Sequence, residues 1–595
     1  MENKGWILIR KGNRLCLIFT ISAWLFTPIS CNRSDHQSFP ILCPIDFEQI
    51  QVKGELFQRA MKNFDRLETD IYFPCNVFPK QQQGPSLGWP GDKEGRTILA
   101  LVLEAQATHR SPLYLDEMIR ILPEKFNKKG YLGPISQDTI DEQQLSGHGW
   151  LLRGLCEYFQ WKKDPRVKNY IQGIINNLAL PTKGYHKNYP IVPAGRISNT
   201  GGMAGSSANV VNNWKLSTDV GCDFIFMDGV VQAYRLFPTR ELKALIDEMM
   251  SRYLEMDLVG IKAQTHATLT GMRAVLRYYQ TSGNKKLLSE VVKRYRIYHE
   301  QAMTENYENY NWFERPQWTE PCAIVDSYLL AVQLWQYTRN PNYLEDAELI
   351  YYNAIGHTQR SNGGFGCDNC TGPSDNALFV KANEAYWCCT MRGAEGLSKA
   401  IQYSYFTRGD TLIIPSFNSG SVSFNLYGSP VTLVQETNYP FGNKVLLTVE
   451  RLNKPVRIIL EFFAPSWVQD QIISMNHKLT DFQLKSGFAE VSLLISEGDT
   501  IEYSFSMKSG VTTVLNQSHK RPGNCRLYYG PLLLGHEGIP DVDVPGNAEI
   551  VKTDKNGFQI KGTDILLSTI YHFMDQRVSQ STGYRKQILF RQTTN

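Results

Sequence analysis

The sequence predicts a multidomain α+β fold, an (α/α)6 toroid followed by one or two β-sandwich domains, from three observations. The chain has 595 residues, more than a single core usually serves. From about residue 54 to 405, apolar residues recur at i, i+3, i+4 and i+7, the period of helices with one buried face. After about residue 408 the period falls to two, the mark of short strands with one face inward.

The first 31 residues read as a targeting segment. Lys4, Arg10, Lys11 and Arg14 against Glu2 give this stretch +3 of the formal net charge of +4. The apolar run from Leu15 to Phe26 is too short to span a bilayer but suits a signal sequence. Cys31 after Ser30 resembles the cysteine that bacterial lipoproteins acylate, although Pro28 stands where leucine is usual. The chain is expected to be exported, as a periplasmic, outer-membrane or cell-surface lipoprotein of a bacterium. Simple secretion is the alternative.

The toroid is expected over residues 45–407. Helical periodicity marks Arg96–Thr108, Gly149–Trp161, Val220–Leu236, Leu242–Leu254, Leu258–Gln280, Ile324–Tyr337 and Leu344–His357, with Gly-, Pro- and Asn-rich breaks between segments. About a dozen helices in antiparallel pairs would leave a concave end lined by loops, a natural cleft for a sugar chain. No fixed repeat indicates a solenoid.

Strands are expected at Thr411–Pro415, Ser421–Leu426, Val431–Glu436, Lys444–Glu450, Val456–Phe463, Ile472–Met475, Ala489–Leu494 and Thr500–Ser506. They define a β-sandwich over 408–510, and mixed β signals continue through a C-terminal region at 511–595. Composition is that of a globular protein, 42% hydrophobic, with 30 Tyr, 28 Phe and 11 Trp. Aromatics fill large cores and also form platforms for sugar rings. Beyond the leader the net charge is near +1 and no basic run appears, so nucleic acid is not an expected partner.

Ten cysteines lie outside the leader, and five of them fall between residues 322 and 389. A protein of this size does not need disulfides to fold, so the clustering matters more than the count. Trp318-Thr319-Glu320-Pro321-Cys322 sets a carboxylate two residues before a thiol. Cys367-Asp368-Asn369-Cys370 and Tyr386-Trp387-Cys388-Cys389 follow. Thiolates with a carboxylate suit zinc. Cys367 and Cys370 equally suit a short-loop disulfide or a separate structural metal, and the lesser alternative for Cys388 and Cys389 is buried, inert thiols.

The combination of Glu-x-Cys with Cys-Cys, on a helical toroid followed by β-sandwiches, resembles the β-L-arabinofuranosidases of glycoside hydrolase family 127 and relatives such as family 146. The likeness runs from about residue 85 to the end. It includes Gly147-His148, Thr265-His266-Ala267, Asp346-Ala347-Glu348, Gln435-Glu436-Thr437-Asn438-Tyr439-Pro440 and Gly530-Pro531-Leu532. The resemblance implies Zn2+ held by Glu320, Cys322, Cys388 and Cys389, with Cys388 as nucleophile. It implies a glutamate acid/base shortly upstream, best matched by Glu308 and then by Glu305, while Glu314 reads as a solvated loop carboxylate. It places His148, His266 and Glu348 along the sugar. Trp89 and Asp92 either bound the cleft or form a turn and a helix cap.

The implied activity is that of an exported retaining glycoside hydrolase releasing a furanose, β-L-arabinofuranose, from oligo- or polysaccharides of plant type. Thr390-Met391-Arg392 replaces the usual Pro and Asn after the cysteine pair. Phe and Asp stand near Cys222–Asp228 where relatives carry a sugar-contacting histidine. These departures leave a related acidic or deoxy furanoside of pectin as the alternative substrate. Arg392 could mark an anionic sugar or lie on a helix surface. A glycan-binding lipoprotein with purely structural zinc is the reading from another class.

Overall fold

The computed structural model describes residues 42–79, 88–196, 205–373, 375–380, 383–515, 523–553, 557–571 and 584–593. The leader and Cys31 lie outside them. Among the described residues, no helix is long and apolar enough to cross a membrane.

Among the described residues, twelve helices of nine residues or more build the first unit: α1 (Gly54–Leu67), α2 (Asp92–Thr108), α3 (Leu115–Lys125), α4 (Glu142–Lys162), α5 (Pro165–Ile174), α6 (Asp223–Leu236), α7 (Arg240–Glu255), α8 (Thr265–Ser282), α9 (Lys285–Gln301), α10 (Pro321–Thr338), α11 (Asn342–Ile350) and α12 (Cys389–Gln402). The even-numbered helices form a closed ring in which each packs on the next and α12 returns to α2. The odd-numbered helices lie outside it, each against an inner neighbour. This is the (α/α)6 toroid.

The two sets differ in sequence for a physical reason. Outer helices bury one stripe, such as Leu56, Ala60, Phe64 and Leu67 on α1. Inner helices are covered on all sides, so α10 is buried along almost its whole length. Capping follows ordinary chemistry: the Asp141 side chain accepts from the Gln143 and Gln144 amides to start α4, and Gly283 in the left-handed region ends α8. The single helix expected over Leu258–Gln280 starts only at Thr265. Asp257 captures the Gly260 amide at 3.1 Å, and Lys262 takes a positive φ, so a turn replaces the first helical residues.

Part of the ring packs backbone against backbone. A Cβ on Gly149 would stand 2.5 Å from Ile225 O, and one on Gly229 would stand 2.3 Å from Gly149 O. Gly149→Ala is therefore expected to push α4 and α6 apart, lowering stability by about 1–3 kcal/mol. A lower urea midpoint with unchanged secondary structure is the measured result, and an unshifted midpoint would contradict this packing.

The eight segments of period two all form strands. Val456–Phe463 lies where expected, but Val468–Met475 starts four residues before the predicted Ile472. A register shift between Gln469 and Ile472 breaks the alternation there. Six- and seven-stranded sheets pack face to face, for example through Phe462 stacked on Tyr503 with centroids 5.0 Å apart. The sandwich is not confined to 408–510: Cys43–Pro44 and Ile50–Val52, which precede the first helix, pair with Phe406–Arg408 and Gly420–Leu426. A third, eight-stranded sheet follows from Ser509 onward. Tyr584–Gln587 then returns to pair with Ala377–Val380, next to the open end of the toroid.

Candidate active site

All six inner helices begin at the same end of the ring, and a pocket of about 610 Å³ opens among their first residues. Asp92 and Arg96 come from α2, Ser146 from α4, Ile225 from α6, His266 from α8, and Cys388 and Cys389 from the start of α12. Glu320 is the residue before α10. Helix N-termini carry partial positive charge, so this end of the ring favours anionic side chains. Asp92 fixes Arg96 one turn on at 2.8 Å.

Three thiols meet beside this pocket, Cys388 and Cys389 in its lining and Cys322 behind it. Cys322 Sγ lies 3.7 Å from Cys389 Sγ, and Cys389 lies 3.4 Å from Cys388, with all three sulfurs within 4.8 Å of one another. All are free, and the separations exceed a disulfide bond. Cys322 and Cys389 are buried, whereas Cys388 is partly exposed on the pocket wall.

Burial opposes ionisation of Cys322. Hydrogen bonds from Cys388 and Cys389, and then the charges of Arg96 and His266, nevertheless hold this thiol well below its ordinary value. Arg96 Nη1 donates to its sulfur at 3.5 Å. The Cys388 thiol is pushed up, first by its hydrogen bond to Cys322, and Cys389 is pushed up by burial. His266 Nδ1 lies 3.6 Å from Glu320 Oε1, and His266, Glu320 and Cys322 form an overlapping donor group. Clustered, unbridged sulfurs beside a carboxylate and an imidazole are donors that can hold a metal ion, and the residues fit one.

A second buried group adjoins the first. His357 Nε2 lies 3.1 Å from Asp368 Oδ2 and 3.6 Å from Glu308 Oε1, while Arg360 donates to Asp368 Oδ1 at 2.8 Å. Glu308 is pushed well above the carboxylate range by burial and then by the Asp368 charge. Asp368 is buried too, but Arg360 and His357 hold its carboxyl below the ordinary value. Two carboxyls whose surroundings drive them apart can act as an acid–base pair. Asp368 reaches the pocket wall and Glu308 does not.

Residues 411–507 match the family profile described as β-L-arabinofuranosidase, GH127 middle domain. The fold is similar to a GH127 β-arabinofuranosidase, with a TM-score of 0.70 at 12% identity over 93% of this chain and 98% of that one. It is also similar to a GH127 β-L-arabinofuranosidase from Geobacillus stearothermophilus T6, with a TM-score of 0.67 at 13% identity over 91% and 100% of the two chains. A protein described only as a glycoside hydrolase gives 0.68 at 14% identity over 94% and 98%. Residues 411–507 thus match a GH127 domain, and the chain as a whole has the fold of these enzymes. No curated protein sequence matches it.

Against this GH127 frame the expected site residues divide. Glu320, Cys322, Cys388, Cys389 and His266 come together, and Trp89 and Asp92 do bound the pocket. His148 is a correction. It lies in the second turn of α4, fully buried, where Nε2 accepts from the Leu132 amide at 3.0 Å and Nδ1 donates to Gln144 O at 2.7 Å. Both nitrogens serve the backbone, and the ring does not reach the pocket.

Glu348 is a second correction. It sits on outer helix α11 facing the sandwich, where Tyr439 Oη donates to it at 2.6 Å. Glu305 is turned away as well, accepting from the Leu515 amide at 2.6 Å. Glu314 is exposed, as expected of a loop carboxylate.

Arg392 is neither a surface residue nor a sugar ligand. It is buried, pairs with Asp326 at 2.5 Å and with Glu395, and lies 4.5 Å over the Trp150 ring. Cys367 and Cys370 are not bridged. Cys367 faces the pocket, while the Cys370 sulfur packs 3.8 Å from Asn309 O.

Sequence reasoning missed Arg96, Asp219 and Asp368. Asp219 lines the pocket with Oδ2 accepting from the Gly205 amide at 3.0 Å and Oδ1 unpartnered, and burial pushes its carboxyl up to about 7. The Asp92-x-x-x-Arg96 spacing was the one signal available for Arg96.

Proposed function

We propose that this protein is a retaining glycoside hydrolase that releases a neutral furanose, β-L-arabinofuranose, from oligo- or polysaccharides, with Cys388 as nucleophile. One observation carries the reading: of the three clustered thiols, only Cys388 is partly exposed, and it lies on the pocket wall at the positive end of α12. Cys322, Cys388 and Cys389, with Glu320 beside Cys322, would hold a zinc ion. When bound, zinc supplies the positive charge that keeps sulfur deprotonated at neutral pH.

The Cys388 sulfur bonds to the anomeric carbon as the glycosidic C–O bond breaks, and the departing oxygen takes a proton. Glu308, the member that burial keeps protonated, is the source of that proton, and Asp368, the member on the pocket wall, relays it to the leaving oxygen. In the second half the same carboxylate accepts a proton from water. The water oxygen bonds to the anomeric carbon, and sulfur leaves as thiolate.

The wall favours a neutral sugar. Asp92, Asp219, Glu320, Asp368 and Glu384 line it, whereas Arg96 is its one guanidinium among the described residues and already pairs with Asp92. An acidic furanoside would enter against these carboxylates. Trp89, Trp318 and the half-exposed Trp387 and Phe379 supply ring-stacking faces at the same opening. Export through the leader, with Cys31 acylated, belongs to the same proposal and rests on sequence.

The test is the identity and anomeric configuration of the first product from arabinose-rich polymers and aryl furanosides, followed by NMR. Retention with release of arabinose is expected; inversion, or release of only an acidic sugar, defeats the reading. Asp368→Asn is expected to slow poor leaving groups by about 10²–10⁴-fold. Aryl furanosides, whose phenolate leaves without a proton, should lose much less. Equal losses in both classes would assign Asp368 to structure rather than to proton transfer.

A further inference from the structure

One wall of the pocket is a continuous strip of hydrogen-bonded chain. Trp89 Nε1 donates to Gly205 O at 3.0 Å, and the Gly205 amide donates to Asp219 Oδ2 at 3.0 Å. The Gln264 amide donates to Val220 O at 2.9 Å, the Thr265 amide to Asn311 O at 2.9 Å, and the Asn311 amide to Trp318 O at 3.0 Å. Trp89, Asp219, Gln264, Asn311 and Trp318 all line the pocket. Gln264 is engaged, with Oε1 accepting from the Ala267 amide and Nε2 donating to Glu320. Its two polar neighbours are not. Asp219 and Asn311 are 6% and 2% exposed, and neither Oδ1 has a hydrogen-bond partner among the described residues. Buried oxygens are normally satisfied, so two bare acceptors on one pocket wall point to a ligand that brings the donors.

Asp219 lies just before α6, and in the closed ring α6 stands opposite α12, whose start carries Cys388 and Cys389. A sugar in this pocket therefore lies between Asp219 and the thiols. Attack by Cys388 sets the anomeric carbon on the α12 side. In a pentofuranose, the hydroxyl most remote from that carbon along the bonds is the primary one on C5, beyond the ring oxygen and C4. We infer that Asp219 is a specificity residue for this hydroxymethyl group. Its Oδ1 accepts from the C5 hydroxyl while Oδ2 stays tied to the Gly205 amide, and Asn311 Oδ1 is a further acceptor on the same wall. The inference rests on the glycosidase reading given above and adds the part of the sugar that this wall reads.

A pair of substrates with one leaving group tests it: an aryl L-arabinofuranoside and its 5-deoxy analogue, compared by kcat/KM on the full chain. The unaltered protein is expected to prefer the first by about 10²-fold or more, because a site built to bind a hydroxyl rejects the analogue that lacks it. In Asp219→Ala that preference should fall below about tenfold, with the hydrogen bond to a charged group gone. Asp219→Asn keeps an oxygen for the Gly205 amide, so the wall stays in place, and its preference should fall between the two.

The ratio of the two substrates separates recognition from structure. A variant that loses activity on both alike, and so keeps the full preference, assigns Asp219 to holding the Gly205 loop and overturns the inference. So does an unaltered protein that cleaves both substrates equally, a result that needs no variant and leaves the glycosidase reading standing. An unaltered protein that cleaves neither defeats that reading and the inference together.

Discussion

Replacing Cys388 with serine is expected to lower kcat/KM on every furanoside substrate by about 10³-fold or more, since a serine hydroxyl at neutral pH offers almost no anion to attack with. The helix should not suffer. Cys388 occupies the N-cap position of α12, where serine is among the preferred residues, so the metal-free protein should keep its unfolding midpoint. Metal content measured on the same sample separates the two roles proposed for this sulfur. Inactive protein that still carries its ion has lost a nucleophile, whereas inactive protein without the ion has lost a ligand. Mass spectrometry on the unaltered enzyme closes the argument: with a slow substrate, a pentosyl group should appear on the peptide carrying Cys388. Activity within tenfold of the original after the serine replacement would sink the assignment.

The architecture was legible because each unit has its own period. Alternation in Val456–Phe463 needs no tertiary information, and the helical stripe of α1 shows its inward face directly. Inner helices are another matter. α10 and α4 are buried all round, so periodicity cannot say which of their residues faces the pocket and which a neighbouring helix. His148 and Arg392 were misplaced for this reason: one turns toward the backbone at Leu132, the other into the ion-pair network beneath the thiols.

Arg96 escaped notice for the converse reason. Its pairing with Asp92 one turn earlier is a pattern shared with exposed helix faces, yet closure of the ring carries it to the Cys322 sulfur. The thiols themselves could be named from the motif pair, but spacing gives no hint that residues 67 apart meet at 3.7 Å. Asp368 stood in plain view between two cysteines, and the cysteines drew the reading.

Glu348→Gln is expected to stabilise the protein increasingly as pH rises from 5 to 8. In the native fold this carboxyl is buried at the junction of α11 with the sandwich, and burial raises its pKa from 4.5 to about 8. The unfolded chain releases that proton near pH 4.5 and the folded one keeps it until about pH 8. Folded protein therefore binds more protons throughout this window, and stability must fall as pH climbs through it. At about 1.4 kcal/mol per pH unit, the full span costs about 5 kcal/mol, an upper bound if water or local relaxation eases the buried charge. Glutamine keeps an oxygen to accept from Tyr439 and cannot ionise, so its variant escapes the loss. Urea midpoints at pH 5.5 and pH 8 should diverge between the two proteins, with the variant ahead at the higher pH. Parallel midpoints would mean that Glu348 ionises normally and that its raised pKa, with the dry junction it implies, is wrong.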